Sequence, residues 1–244
     1  MADSAILVLE EVVAGYGGLT VLNGTSLQAR RGAITTIIGP NGAGKSTVFK
    51  TVFGLLPARA GRIVFEGREV TNFTPRKLLE LGISYVPQGR NIFPELSVRH
   101  NLELGATAAP PGTDVAARVE AVMDRFPMLR ERAGSQASTL SGGQQKLLEI
   151  GRSLLLEPRL MLIDEPSIGL SHRLVQETFT ILQDLRAKGM SILMVEQNAK
   201  RALEASDFGV VIELGRTRMA GEARAILADP KVGQLFLGGA LAAS

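Results

Sequence analysis

Residues 39–47 read GPNGAGKST, a full match to the pattern G-x-x-x-x-G-K-[ST]. Glycines at 39, 42 and 44 let a backbone curl through dihedrals that other residues resist, so that its N–H groups point inward at phosphate oxygens. Pro40, Asn41, Ala43 and Thr47 complete the loop. Within it, Lys45 is placed to meet β- and γ-phosphates and the Ser46 hydroxyl to ligate Mg²⁺. Farther on, Leu160-Met-Leu-Ile is followed by two carboxylates. Asp164 suits the shell of the same cation, and Glu165 can hold and polarise a water for attack on a γ-phosphate. This chemistry is nucleoside triphosphate binding followed by hydrolysis.

A second anion-binding stretch lies at 140–146, LSGGQQK. Ser141, Gly142, Gly143 and Gln144 open a predicted helix, where free backbone N–H groups favour an anion. One complete phosphate loop already exists, so this second half-site reads as serving the nucleotide of a partner. A third polar group, Glu196-Gln197-Asn198, follows the apolar run Ile192–Val195, where a sheet would open toward a ligand. Gln197 is a neutral amide there. It can donate an N–H to a phosphate oxygen but cannot carry a proton near neutral pH.

The elements that position these groups can be read from periodicity. Ile6–Val13 and Val21–Ala29 read as strands, and Ala33–Ile38 as a strand buried on both faces that leads into the phosphate loop. Lys45–Phe53 reads as the helix after that loop, and Arg62–Phe65 as another strand. From Ser97 to Leu156 the pattern turns mostly helical, with Asp114 as an N-cap for Val115–Phe126. Alternation then resumes with strand Leu160–Ile163, helix Leu174–Lys188, strand Ile192–Val195, strand Phe208–Leu214 and a short helix at Ala223–Leu227. The sum is an α/β core interrupted by a helical insertion.

Composition sets outer limits on the function. A chain of 244 residues with 45% hydrophobic and 21% charged residues reads as globular and not disordered. Net charge is +3 and the basic residues are scattered, so no nucleic-acid partner is expected. No apolar run reaches membrane-spanning length, and the start, MADSAILVLEEVV, lacks a basic leader. With no cysteine, neither a disulfide framework nor a thiolate metal site is available.

GPNGAGKST, LSGGQQK and LMLIDEP, in that order, resemble the motifs of the ABC-type ATPases over nearly the whole chain. The resemblance implies an α/β fold: a P-loop NTPase (RecA-like) core with an N-terminal antiparallel β-subdomain and an inserted α-helical subdomain. It implies one domain over 5–237. Within it, 5–70 would be strand-rich and hold the phosphate loop, 89–157 would be the helical subdomain with the signature, and 158–237 the rest of the core. ATP and Mg²⁺ are the implied ligands. Gln88, in YVPQGRN, matches the glutamine that touches Mg²⁺ and senses the transporter, and Tyr16, in GYGG, the aromatic that stacks on adenine. The segment Ser167–Ser171 falls at the D-loop, although the family more often ends it with Asp. Gln197 stands where the family's switch histidine belongs, facing the γ-phosphate, whereas His100 and His172 are read as surface residues.

The implied assembly is a head-to-tail dimer with a second ATPase subunit, a heterodimer in the complex, on two integral membrane subunits. A periplasmic binding protein would act indirectly, and the chain would lie in the cytoplasm on the inner face of the cell membrane. Phe93 and Pro94 are candidates for the docking surface. The stretches YVPQGRNIFPELSV, TLSGGQQKLLEIGRSLL and MVEQNAKRALEASD are similar to the second ATPase subunit of branched-chain amino-acid importers. Related importers of urea or short amides, and a regulatory subunit impaired in hydrolysis, are the alternatives. DNA- or ribosome-directed ABC ATPases usually carry long coiled-coil insertions or two fused cassettes, neither of which this chain has.

Overall fold

Alternating apolar residues draw residues 5–30 into a hairpin, β1 (Ala5–Tyr16) and β2 (Leu19–Arg30). A computed structural model describes residues 5–89 and 91–232 of the chain. The limit of 237 expected for the domain therefore lies outside the described residues. β3 (Ile34–Ile38), buried at all five positions, runs into α1 (Lys45–Val52). There follow β4 (Ala58–Phe65), β5 (Arg68–Glu69), α2 (Pro75–Glu80), whose proline suits a first helical turn, and β6 (Ile83–Val86).

The helical stretch contains α3 (Val98–Leu104), capped by Ser97, and α4 (Val115–Arg125), capped by Asp114. After α5 (Pro127–Glu131) comes α6 (Gly142–Leu154), which starts on a capping box between Ser141 and Gln144. The core then resumes with β7 (Leu160–Asp164), α7 (His172–Ala187), β8 (Ser191–Val195) and α8 (Ala199–Glu204). β9 (Phe208–Glu213), β10 (Arg216–Glu222) and α9 (Ala223–Ala228) end it.

Two sheets result. One is antiparallel in the order β2-β1-β4-β5; the other runs β10-β9-β3-β8-β7-β6, parallel except for the β9–β10 hairpin. The early strands thus divide: β3 leaves its sequence neighbours for the centre of the parallel sheet, as a strand apolar on both faces must. Side chains alternate across that sheet. Ile34, Ile38, Met161, Ile163, Ile192 and Met194 enter the core formed with the helical layer. Ile37, Leu160, Leu162, Leu193 and Val195 face the core shared with α1 and the antiparallel sheet.

Among the described residues, five elements are not foreseen from periodicity: β5, α2, β6, α8 and β10. β6 has only four residues, and β10, RTRMAGE, is mostly exposed and lacks apolar alternation. Among the described residues no helix is long and apolar enough to cross a membrane. His100 and His172 are both exposed.

Candidate functional site

Because β3, β8, β7 and β6 are parallel, their C-terminal ends share one edge of the sheet. That edge is where open α/β sheets gather ligand groups. The phosphate loop follows β3, Gln88 follows β6, Glu165 follows β7, and Glu196-Gln197 follows β8. Backbone bonds stitch the edge: Glu165 N donates to Val195 O at 2.9 Å, and Glu196 N to Ile37 O at 3.3 Å.

Two glycines of the phosphate loop are dictated by space and torsion. A Cβ on Gly39 would sit 2.2 Å from the carbonyl oxygen of Ile212. Gly44, the N-cap of α1, has φ 102° and lies against Val21 and Leu22 of β2, so the antiparallel sheet braces the loop. Pro40, Asn41 and Gly42 stand exposed, Gly39 and Ser46 are half-buried, and Ala43, Lys45 and Thr47 are buried. The Lys45 ammonium donates to Gly39 O at 2.7 Å and to Pro40 O at 3.0 Å. Burial lowers its pKa, while the charges of Glu165 and Asp164 act in the opposite direction.

Asp164 and Glu165 are both buried. The Ser46 hydroxyl approaches one oxygen of Asp164 and the Tyr85 hydroxyl the other, each at 3.4 Å. Burial first, and the neighbouring charge of Glu165 second, push the Asp164 pKa up to about 6. Tyr85 on β6 escaped the sequence reading. Its own pKa is raised by burial and then by Asp164, so it stays a donor. The tyrosine in YVPQ carries no pattern that would have announced this contact.

Glu165 adopts φ 47°, a left-handed backbone that costs a non-glycine residue about 1–2 kcal/mol. Residues held in such strain cluster at functional sites. Its carboxylate is held from two sides. Gln88 Nε2 donates to Oε2 at 2.7 Å, and Gln197 Nε2 lies 2.9 Å from both oxygens. Both amides thus face the carboxylate, where the sequence reading gave one to Mg²⁺ and the other to the γ-phosphate.

Glu196 corrects the expectation that the whole tripeptide opens toward a ligand. It is buried, and its carboxylate accepts from Ser167 N at 2.9 Å and Gln197 N at 3.1 Å. Burial raises its pKa against those bonds. Asn198 instead caps α8, accepting from Arg201 N. Of the three, only Gln197 reaches the carboxylate at the sheet edge.

Tyr16 ends β1 and is 44% exposed, leaving ring surface available for stacking, with the Lys50 ammonium 5.6 Å from its centroid. The stretch Ser141–Gln144 is placed elsewhere: α6 packs on α3, α4, α5, α7 and β6, whereas α1 packs on β1, β2 and β7. Ser141 N donates to Gln144 Oε1 at 3.0 Å and Gln144 N to Ser141 Oγ at 3.4 Å. Gly143 packs closely on α7: a Cβ there would lie 2.4 Å from the Leu174 side chain, which would have to shift.

Among the described residues no group of three or more His, Cys, Asp or Glu side chains could hold a metal ion. A divalent cation bound by Asp164 would therefore draw on hydroxyl, amide, phosphate or water oxygens, the hard donors Mg²⁺ prefers. The Ser46 hydroxyl beside a crowded, buried carboxylate pair fits that requirement.

Residues 22–168 match the protein family described as "ABC transporter". The chain is similar to the high-affinity branched-chain amino acid transport ATP-binding protein BraG of Pseudomonas aeruginosa, 39% identical, across 96% of this chain and 100% of that one. It is also similar to the probable branched-chain amino acid transport ATP-binding protein LivF of Archaeoglobus fulgidus, 36% identical, across 92% and 95%. A lipopolysaccharide export system ATP-binding protein, LptB of Acidithiobacillus ferridurans, is 30% identical across 96% and 98%. Among solved structures, a nucleotide-free ATP-binding cassette from an ABC transporter superposes with a TM-score of 0.86 at 30% identity, covering 96% of this chain and 99% of the other.

Proposed function

The chain belongs to the ABC transporter ATP-binding family, and from that premise we propose that it energises a branched-chain amino-acid importer. It is an ATP-binding ATPase coupled to transport. The observation that carries the reading of its site is Glu165, strained in φ and held by Gln88 and Gln197 on the sheet edge that bears the phosphate loop.

In this reading the backbone of Gly39–Gly44 and the Lys45 ammonium take the β- and γ-phosphates, with the N-terminus of α1 adding its partial charge. Thr47 closes the loop, and the Tyr16 ring stacks on the adenine. Ser46, Asp164 and Gln88 would hold Mg²⁺, which when bound neutralises charge on the phosphates and orients them. Glu165 accepts a proton from the attacking water. Gln88 and Gln197 keep its carboxylate aimed, and Gln197 adds an amide donor beside the γ-phosphate.

Ser141, Gly142, Gly143 and Gln144 serve the nucleotide of a second ATPase subunit in a head-to-tail dimer. The placement of the α6 start apart from the α1 start supports that division. Two membrane subunits, fed by a periplasmic binding protein, would receive the motion, with the chain on the cytoplasmic face. The amino-acid assignment is favoured over lipid export by the higher identity to the importer relatives.

The test is reconstitution with the cognate membrane subunits and partner ATPase in vesicles. ATP-dependent leucine, isoleucine or valine uptake, lost with Glu165→Gln, is the expected result. Full turnover in Glu165→Gln would remove the general-base role, and ATPase activity unresponsive to branched-chain amino acids would remove the substrate assignment.

A further inference from the structure

Lys146 and Glu149 lie one turn apart on α6, and both are buried, 6% and 3% exposed. Their ammonium and carboxylate meet at 2.5 Å. Each also grips the backbone of the loop that follows β6. Glu149 Oε1 accepts from Asn91 N at 2.6 Å, and Lys146 Nζ donates to Gly89 O at 3.3 Å. The Asn91 amide turns back toward the carbonyls of Pro87 and Gln88, at 3.5 and 3.4 Å. Gln88, in the same loop, donates to Glu165. An unbroken series of polar contacts therefore joins the helix that begins at Ser141 to the carboxylate at the end of β7.

A buried ion pair is a weak source of stability, because desolvating two charges offsets most of their attraction. Two apolar side chains would fill the same space in α6 at little cost. What apolar side chains could not do is hold a loop's N–H and C=O in register. A cavity of about 130 Å³, lined in part by Pro87, Asn91, Glu149 and Arg152, lies against that loop.

We infer that Lys146 and Glu149 are positioning residues: a strut by which the helix carrying the signature segment fixes the loop carrying Gln88, and through it the Glu165 carboxylate. The inference rests on the reading of Glu165 given above. Movement of α6 against a partner's nucleotide would reach Glu165 through this strut. It acts on the hydrolytic step and leaves ATP binding to the phosphate loop.

The experiment compares an apolar variant, Lys146→Met/Glu149→Leu, which removes both charges at similar volume, with Lys146→Met/Glu149→Gln, which removes them too but keeps an acceptor for Asn91 N–H. ATP turnover is measured in the assembled transporter, and amide exchange at Asn91 in the full chain. The apolar variant should fold, lose turnover roughly 10- to 100-fold and keep KM for ATP within about twofold. Asn91 should exchange faster in it, and Lys146→Met/Glu149→Gln should keep most of the turnover.

Wild-type turnover in the folded apolar variant, or a KM rise equal to the fall in kcat, would overturn the strut. So would exchange of the wild-type Asn91 amide as fast as that of an open loop, a measurement that holds even if the apolar variant does not fold. Glu165→Gln serves as the control. If it abolishes turnover while the apolar variant does not, the strut alone fails; if it leaves turnover intact, the reading of the site fails.

Discussion

Gln197 Nε2 stands 2.9 Å from both carboxylate oxygens of Glu165, a neutral amide holding a buried carboxylate in place. Hydrogen bonds to charged groups contribute about 1.5–3 kcal/mol each. Gln197→Ala should therefore lower kcat roughly 10- to 100-fold, with KM for ATP little changed, as measured by steady-state hydrolysis in the assembled transporter. Unaltered turnover would show that Gln88 alone suffices to orient Glu165.

The same relationship predicts how pH acts on the rate. A glutamine does not titrate, so position 197 adds no ionisation to the wild-type profile between pH 6 and 8. Gln197→His should add one, its midpoint raised above the ordinary histidine value of about 6.5 by the adjacent Glu165 carboxylate. Identical profiles for the two proteins would place residue 197 outside the reacting groups.

Asp164 offers a stability test. Its folded-state pKa, about 6, lies above the 3.8 of an unperturbed aspartate, so the folded chain binds the proton more tightly than the unfolded chain. The charged form thus destabilises the fold fully above about pH 6 and not at all below 3.8. Without nucleotide and with a chelator present, Asp164→Asn should raise stability by about 1–3 kcal/mol at pH 7.5. The advantage should fade as pH falls through that window. Urea melts across pH check it, and excess Mg²⁺ with ATP should reverse the ranking, because the asparagine loses a ligand for the cation.

Glu196 should matter through Ser167. Glu196→Ala leaves the partly buried N–H groups of Ser167 and Gln197 without their acceptor, a loss of about 1 kcal/mol in chemical denaturation. Glu196→Gln keeps one acceptor oxygen and should recover most of it. Equal melts for the two variants would mean that water replaces the carboxylate.

What the sequence made legible were features set by neighbours in the chain. GPNGAGKST names its own turn, and the apolar run Leu160–Ile163 announces a strand that must deliver Asp164 and Glu165 to its end. Periodicity tells which side chains leave water. It does not tell which polar groups meet afterwards. Gln88 and Glu165 are 77 positions apart, and only the β6–β7 pairing brings them together. Glu196 and Gln197 are adjacent, yet one turns into the core and the other does not. Lys146 and Glu149 stand three positions apart on α6, a spacing that does not reveal their contacts with the loop after β6.

Phe93 is 50% exposed, with the Arg152 guanidinium 5.7 Å from its ring. It lies in the loop that leads from Gln88 toward α3, apart from the phosphate loop. An exposed aromatic beside a cation suits a protein partner. Phe93→Asp should leave ATP hydrolysis by the full chain alone unchanged and reduce its stimulation in vesicles containing the membrane subunits by roughly tenfold or more. Stimulation equal to wild type would remove Phe93 from the docking surface.

Ser141 permits the two nucleotide half-sites to be separated. It caps α6 in the helical layer, whereas Lys45 lies in the loop before α1, braced by β2. If the half-sites serve different nucleotides, damage to one should leave binding at the other intact. Lys45→Ala should weaken ATP binding to the full chain alone at least about tenfold, since it removes the cation proposed to meet the phosphates. Ser141→Arg should leave that affinity unchanged, yet slow hydrolysis in the assembled transporter, because a bulky side chain at the start of α6 would obstruct the partner's nucleotide. Equilibrium binding to the single chain and turnover in the complex together decide the matter. Weakened ATP binding by the isolated Ser141→Arg chain would mean that the signature segment contacts this chain's own nucleotide, and the head-to-tail arrangement would have to be abandoned.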